Sequence, residues 1–341
     1  MVRLEDEAAP LMVWLAGQSR PDFVDEAGLA SILDGQIARE ERPHSEKELG
    51  EFREFWWNAD QLRLLSERLG VAAVESFVDI GCGGGYWSSL MLSLMAEPRR
   101  VIGIDQEPQW IEQARTRLGA AIAEKAGCEL ELLLADAHHL PVESESLDMA
   151  TCQAVLMHVR NPAQVLSEMI RVVRPGGLVL CVEPDRLLNY VPTDSIALGW
   201  SPEEHGELWM FWHYCRLGRV RCGEGDLAMG ARLAELLVEQ GLEHVQVFLR
   251  DKVFPITPPY DSEENRRWFR ELFNSDGSQN LFEPDRLVEW ARAGGATEEF
   301  ARRQVSRLLG WLDEMRSEVA DNKYASPGGG VMYVVAARKP R

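Results

Sequence analysis

The stretch Val78-Asp79-Ile80-Gly81-Cys82-Gly83-Gly84-Gly85-Tyr86-Trp87-Ser88 narrows the choice of folds more than any other part of the chain. Phe77 to Ile80 reads as a short buried strand with an acid near its end, and an apolar helix follows from about Trp87 to Ala96. Between them, Gly81, Gly83 and Gly85 fit a G-x-G-x-G pattern. Glycine has no Cβ and tolerates positive φ, so such a turn lets the backbone pass close to a ligand. Strand, glycine turn and helix in this order put the turn at the carboxyl end of a parallel strand, where open α/β sheets bind ligands. A glycine-rich loop that merely joins two elements looks similar, so the turn needs support from the rest of the chain.

That support lies downstream. Arg100 to Asp105 is a second short apolar strand ending in an acid, and an acid there can accept two ribose hydroxyls, as in the dinucleotide fold. A third apolar run, Leu130 to Ala135, ends in Asp136-Ala137. A fourth, Leu147 to Leu156, begins with Asp148 and leads to His158. A fifth, Leu178 to Val182, ends in Glu183-Pro184-Asp185 and follows the proline–glycine stop in Arg171-Val172-Val173-Arg174-Pro175-Gly176-Gly177. Strands alternating with helices over residues 70–185 predict a parallel sheet with helices on both faces.

Val78 to Trp87, Gly103 to Asp105, Ala135 to Ala137, Asp148 to Val159 and Arg171 to Gly177 together resemble the class I S-adenosylmethionine (SAM)-dependent methyltransferases of the small-molecule type. The likeness covers about residues 55–185 well and the rest poorly. It implies a Rossmann-like seven-stranded α/β methyltransferase fold with a mostly parallel sheet, here with a helical N-terminal extension and helical insertions. It implies SAM as cofactor and S-adenosylhomocysteine as product. By resemblance, the backbone around Gly81, Gly83 and Gly85 approaches the methionine and ribose portion, and Asp79 fixes the turn or meets the amino group. Asp105 accepts the ribose hydroxyls, with Gln106 beside the adenine. Asp136 accepts from the adenine amine near the Ala137 amide, and Gln153 lies next to the methionine part. Trp57 is a candidate to face the sulfonium. His158 matches a histidine common in the family after the fourth strand. It is the candidate catalytic base, a neutral imidazole being able to take a proton near pH 7, and a structural hydrogen bond at a helix start is the alternative. His205, His213, Tyr214 and Glu183 are further candidates.

The remaining segments divide the chain into residues 1–50 (N-terminal extension), 51–186 (SAM-binding core), 187–222 (aromatic insertion), 223–259 (core continuation), 260–323 (helical insertion) and 324–341 (final strand). Leu29, Ile32, Leu33 and Ile37 recur at helical spacing in the extension. In the family such extensions pack over the crevice or support a homodimer. Glu51 to Leu69 reads as one helix, with Phe52, Phe55, Trp56, Leu62 and Leu65 as its apolar face. The insertion after the fifth strand holds Trp200, Trp209, Phe211, Trp212, His213 and Tyr214. Trp209, Trp212 and Tyr214 are its candidate substrate-binding residues, since buried rings offer wide apolar contact and edges that can hydrogen-bond; anchoring the insertion is the competing role. Val245 to Val253 and Val331 to Ala336 read as the sixth and seventh strands, the seventh returning antiparallel on the sheet's edge side.

A net charge of −19 and a pI near 4.9 argue against a nucleic-acid partner, because phosphate binding needs a basic face. The expected partner is a small-molecule methyl acceptor, a secondary metabolite or lipid-like compound. The acidic start is not a secretory leader, and Ala8 to Gly17 is too short to cross a membrane. Six scattered cysteines contain no C-x-x-C pair, so neither a metal site nor a disulfide framework is expected, and a reducing, cytoplasmic setting fits. Two other functions compete with this reading. An NAD(P)-dependent dehydrogenase would need glycine or alanine where Tyr86 stands. A regulatory or scaffolding module could hold SAM without turnover.

Overall fold

The computed structural model describes residues 55–189, 192–272 and 283–341. The expected extension over residues 1–50 lies outside the described residues. Seven strands form one sheet: β1 (Ser76–Ile80), β2 (Arg100–Asp105), β3 (Glu129–Leu134), β4 (Leu147–Gln153), β5 (Val173–Pro184), β6 (Glu243–Leu249) and β7 (Met332–Arg338). The spatial order is β3-β2-β1-β4-β5-β7-β6. The first five strands pair in parallel, and β7 is antiparallel to both β5 and β6. The mostly parallel seven-stranded sheet is therefore present. One detail differs: β7 lies inside the sheet, and β6 takes the edge.

Ten helices are described: α1 (Ala59–Leu69), α2 (Tyr86–Leu94), α3 (Pro108–Ala123), α4 (Pro162–Val172), α5 (Arg186–Asn189), α6 (Pro202–Cys222), α7 (Met229–Glu239), α8 (Glu263–Leu272), α9 (Pro284–Gly294) and α10 (Glu298–Ala320). Successive strand residues point to opposite faces, and both faces of this sheet are covered. Val78, Ile80, Ala150 and Val179 pack with Leu166 and Met169 of α4 and Leu233 and Leu237 of α7. Phe77, Val101, Met149 and Leu180 pack with Leu62 and Leu65 of α1 and Met91 and Leu92 of α2. Burial on both sides is why these strands read as nearly continuous apolar runs.

Of the helix expected from Glu51 to Leu69, residues 51–54 lie outside the described residues, and the described helix starts at Ala59. Asn58, its N-cap, is extended (φ −88°, ψ 135°). Two long-range contacts hold it there: Trp57 stacks on Trp87 with ring centroids 5.1 Å apart, and Asn58 Nδ2 donates to Asp251 Oδ1 at 3.0 Å. The Arg171–Gly177 motif sits at the opposite end of the sheet from the glycine turn. There Arg174 pairs with Asp148 at 2.6 Å, and Asp148 also accepts from the Glu75 and Ser76 amides. Arg174 thus ties strand starts together at that end.

The two insertions build one helical layer. Leu208, Phe211, Trp212 and Cys215 of α6 share an apolar core with Leu287, Val288 and Ala291 of α9 and Ala301, Val305 and Leu308 of α10. The α6–α9 crossing is backbone-close: a Cβ on Gly218 would lie 1.8 Å from the Trp290 carbonyl oxygen, and one on Gly294 would lie 1.9 Å from that of Tyr214. Asp226, buried at the base of α7, fastens the layer to the sheet. Arg216 of α6 donates to it through two nitrogens at 2.6 and 2.9 Å, and Arg232 through a third at 2.8 Å.

Candidate active site

Adjacent strands β1 and β4 send their connections in opposite directions, β1 towards β2 and β4 towards β5, which opens a crevice at their carboxyl ends. The glycine turn occupies this point, with Gly81, Gly83 and Gly85 at φ +64°, +52° and +78°. Side chains are excluded sterically as well. A Cβ on Gly81 would lie 2.5 Å from Val155 Cγ2, just beyond β4, and one on Gly85 would lie 2.9 Å from Leu118 Cγ. Asp105, at the end of β2, holds the turn from the side: its Oδ2 accepts from Gly83 N at 2.9 Å and its Oδ1 from Glu107 N at 3.0 Å. A carboxylate has about four acceptor positions, so two bonds leave capacity for ribose hydroxyls. Gln106 follows, exposed to solvent.

Beneath the turn, Asp79 is buried and accepts from Ser88 Oγ. The Trp87 indole donates to Thr151 Oγ1 at 2.8 Å, locking the first turn of α2 onto β4. Trp57 is buried against Trp87 within the core between α1 and α2. The Nε1 of Trp57 and the Nε2 of Gln153 are buried without a hydrogen-bond partner among the described residues. A buried donor left unpaired costs about 1–3 kcal/mol, so Gln153, at the end of β4, fits a ligand that brings acceptors. The glycine turn that excludes side chains, the partly engaged Asp105 and the unsatisfied Gln153 amide together fit a nucleoside carrying an amino-acid tail.

Asp136 is exposed, and its Oδ1 accepts from His138 N at 2.9 Å and lies 2.7 Å from His138 Nδ1. The His138 amide and ring outweigh a small desolvation effect and hold its carboxyl below the usual range. Gln164 Nε2 donates to the His138 carbonyl, and Arg171 reaches the Leu140 and Val142 carbonyls, so α4 fixes the turn that carries Asp136 and the half-buried Ala137.

His158 is half-buried beyond β4, its amide donating to the Val155 carbonyl at 2.9 Å. The segment at Gly225 presses on it: a Cβ there would lie 2.0 Å from the Met157 oxygen, and Asp226 N donates to that oxygen at 3.0 Å. Under the same turn lies Glu183, with no exposed surface. Its Oε1 accepts from Val155 N at 2.8 Å and Leu156 N at 2.7 Å, and its Oε2 from Met157 N at 3.3 Å. Burial raises its carboxyl to about 7, against the pull of the three amides.

Trp209, Trp212 and Tyr214 do not share a face of α6. Trp212 is 1% exposed in the core of the helical layer, and Tyr214 turns edge-on to Phe300 of α10. Trp209 is 49% exposed and meets His213 edge-on at 4.0 Å. Their spacing explains the scatter: positions three and five apart on a helix cannot all point one way. Burial first, then Arg216, keeps the His213 imidazole below its ordinary pKa, against Asp185. His205 bonds back to the Ser201 carbonyl at the start of its own helix. Nothing in the sequence pattern marks the His138 partner of Asp136, the Asp226 anchor, or the amides that Glu183 holds. Each joins residues far apart or depends on a turn's shape; only the acid closing the apolar β5 run was visible.

Residues 78–181 match the family model described as a methyltransferase domain. Among curated relatives, an uncharacterized 37.1 kDa protein in transposon TN4556 of Streptomyces fradiae is 42% identical over 111 residues, 33% of this chain and 30% of that one. A demethylmenaquinone methyltransferase of Oceanobacillus iheyensis is 33% identical over 136 residues, 39% of this chain and 54% of that one. The chain thus spans about half, or less, of the length of these relatives. A solved phosphoethanolamine N-methyltransferase 2 of Haemonchus contortus, in complex with SAM, is similar at 18% identity and a TM-score of 0.45, covering 95% of this chain and 61% of that one. Residues 78–181 thus carry a methyltransferase domain.

Proposed function

We propose that this chain moves a methyl group from SAM to a small-molecule acceptor by in-line displacement, releasing S-adenosylhomocysteine. The observation that carries this reading is the meeting of the glycine turn, Asp105 and Gln153 where the sheet order reverses. When bound, SAM supplies a methyl on a positive sulfonium. The chain's part is to bind, orient and exclude water, and alignment alone can supply about 7–11 kcal/mol of a barrier. In this reading the glycine backbone, Asp79 and Gln153 take the methionine portion, Asp105 the ribose, and Gln106, Asp136 and Ala137 the adenine. Trp57 braces Trp87 behind the turn. His158 receives the acceptor's proton where the acceptor carries one.

The acceptor in this reading is lipid-like or a secondary metabolite. Similarity to a demethylmenaquinone methyltransferase supports a small acceptor, and half-exposed Trp209 offers an apolar ring beside His213. Calorimetry with S-adenosylhomocysteine tests the cofactor half: Asp105→Ala is expected to weaken binding by about 1.5–3 kcal/mol, the scale of hydrogen bonds to a charged group. Unchanged affinity in a folded variant would remove the ribose assignment. Turnover against phenolic and quinol-type acceptors tests the other half.

A further inference from the structure

We propose that Glu183 is a positioning residue for methyl transfer: its buried carboxylate grips three successive amides of the turn after β4 and so fixes His158 relative to the crevice. The inference rests on the methyltransferase reading above.

The turn it grips is unusual. Ala154 sits at φ +54°, a region that residues with a side chain seldom adopt, and its amide donates to the Val182 carbonyl of β5 at 2.8 Å. The three amides that follow have no strand or helix to pair with, because β4 ends at Gln153 and α4 starts at Pro162. Glu183 takes all three. Its own carbonyl lies under Gly230 of α7, where a Cβ would come within 2.5 Å, so the backbone of β5 cannot yield. The grip is thus rigid on both sides, and His158 follows directly after the third amide.

Placing a carboxylate here is costly unless the site needs one. Among the described residues, no cation stands among the causes that set its protonation. The neighbours that could titrate are Cys152 at 4.0 Å on β4, Cys181 on β5 and, paired across the sheet, Tyr333 on β7. Asp79 of β1 lies within electrostatic range of Cys152. An apolar residue would suit the surrounding core better but would strand three buried N–H groups, each costing about 1–3 kcal/mol. Glu183 satisfies three donors with one side chain.

The experiment uses the full chain, once its own transfer activity has been measured. Glu183→Gln keeps the shape and replaces one acceptor oxygen by a donor facing Met157 N. Hydrogen exchange by mass spectrometry, without cofactor, is expected to show the 154–158 peptide losing protection about tenfold, the scale of one lost hydrogen bond. The kcat is expected to fall about 10–100-fold, as for a misplaced catalytic group, with S-adenosylhomocysteine affinity within about threefold. Glu183→Asp, which keeps the charge but shortens the reach, should shift both readouts in the same direction and serves if the glutamine variant does not fold. Unchanged exchange overturns the grip. Increased exchange with unchanged kcat overturns the positioning role, and so does a joint collapse of kcat, cofactor affinity and melting temperature. A wild-type chain that binds the cofactor but turns over no acceptor would instead sink the functional reading, while the exchange result would still report on the grip.

Discussion

Two buried carboxylates answer burial in opposite ways, and the difference lies in their partners. Burial alone would raise Asp226, but Arg216, the Ala228 amide and Arg232 outweigh it and hold the carboxyl low. Glu183 has three amide donors and the Cys152 thiol at 4.0 Å, which do not offset its burial, and it rises to about 7. The signs of their contributions to stability therefore differ. Asp226 contributes stability that is present above the ordinary carboxylate pKa and is lost as pH falls below it. Glu183 has a raised folded-state pKa, so its contribution is fully present below about 4.5 and is lost as pH rises through about 7. The size is on the order of 3 kcal/mol. Urea unfolding of the wild type between about pH 5 and pH 8 should show this decline, and Glu183→Gln should flatten it. A decline of equal size in the variant would assign it to other groups.

At the scale of elements, α6 separates two kinds of aromatic residue. Trp212 fills the core shared by α6, α9 and α10, so Trp212→Ala should cost about 3–5 kcal/mol of stability, as large buried side chains do. Trp209 is half-exposed, and Trp209→Ala should cost about 1 kcal/mol or less while raising the acceptor KM without changing cofactor affinity. Thermal melts and acceptor kinetics on the pair check this, and equal destabilisation by both would make Trp209 an anchor. The same helix shows what a sequence can carry. The strands and the glycine turn were legible because their signals are local: apolar runs, a glycine spacing, an acid at a strand end. The three rings of α6 looked alike in sequence because what distinguishes them is the arrival of α9 and α10 from much later in the chain. The start of α1 departs from its sequence pattern for a related reason. The apolar spacing of Phe55, Trp56, Leu62 and Leu65 suggests one helix across this segment, but stacking of Trp57 on Trp87 and the bond from Asn58 to Asp251 hold the N-cap Asn58 extended. The three amides under Glu183 were invisible because no residue type marks a turn that needs an acceptor from another strand.

For the whole molecule, the sheet sets the crevice and the helical layer stands over the later strands, fastened through Asp226. No described helix is long and apolar enough to cross a membrane. The residues proposed for the cofactor run mainly from Asp79 to Gln153, whereas those proposed for the acceptor lie outside that span, on α6. The domain's shared chemistry was accordingly readable early, and its particular acceptor was not. The antiparallel β7 sits between β5 and β6, although residues 332–338 are made after every other strand. During synthesis, at about 5–20 residues per second, β5 and β6 therefore wait with facing open edges, which are templates for pairing with another chain. A chain cut before Met332 should keep those edges bare and collect in the insoluble fraction, whereas one cut after Arg338 should remain in solution; equal solubility of the two would show that the gap closes without β7. The order of the sheet thus makes one late strand close two edges at once.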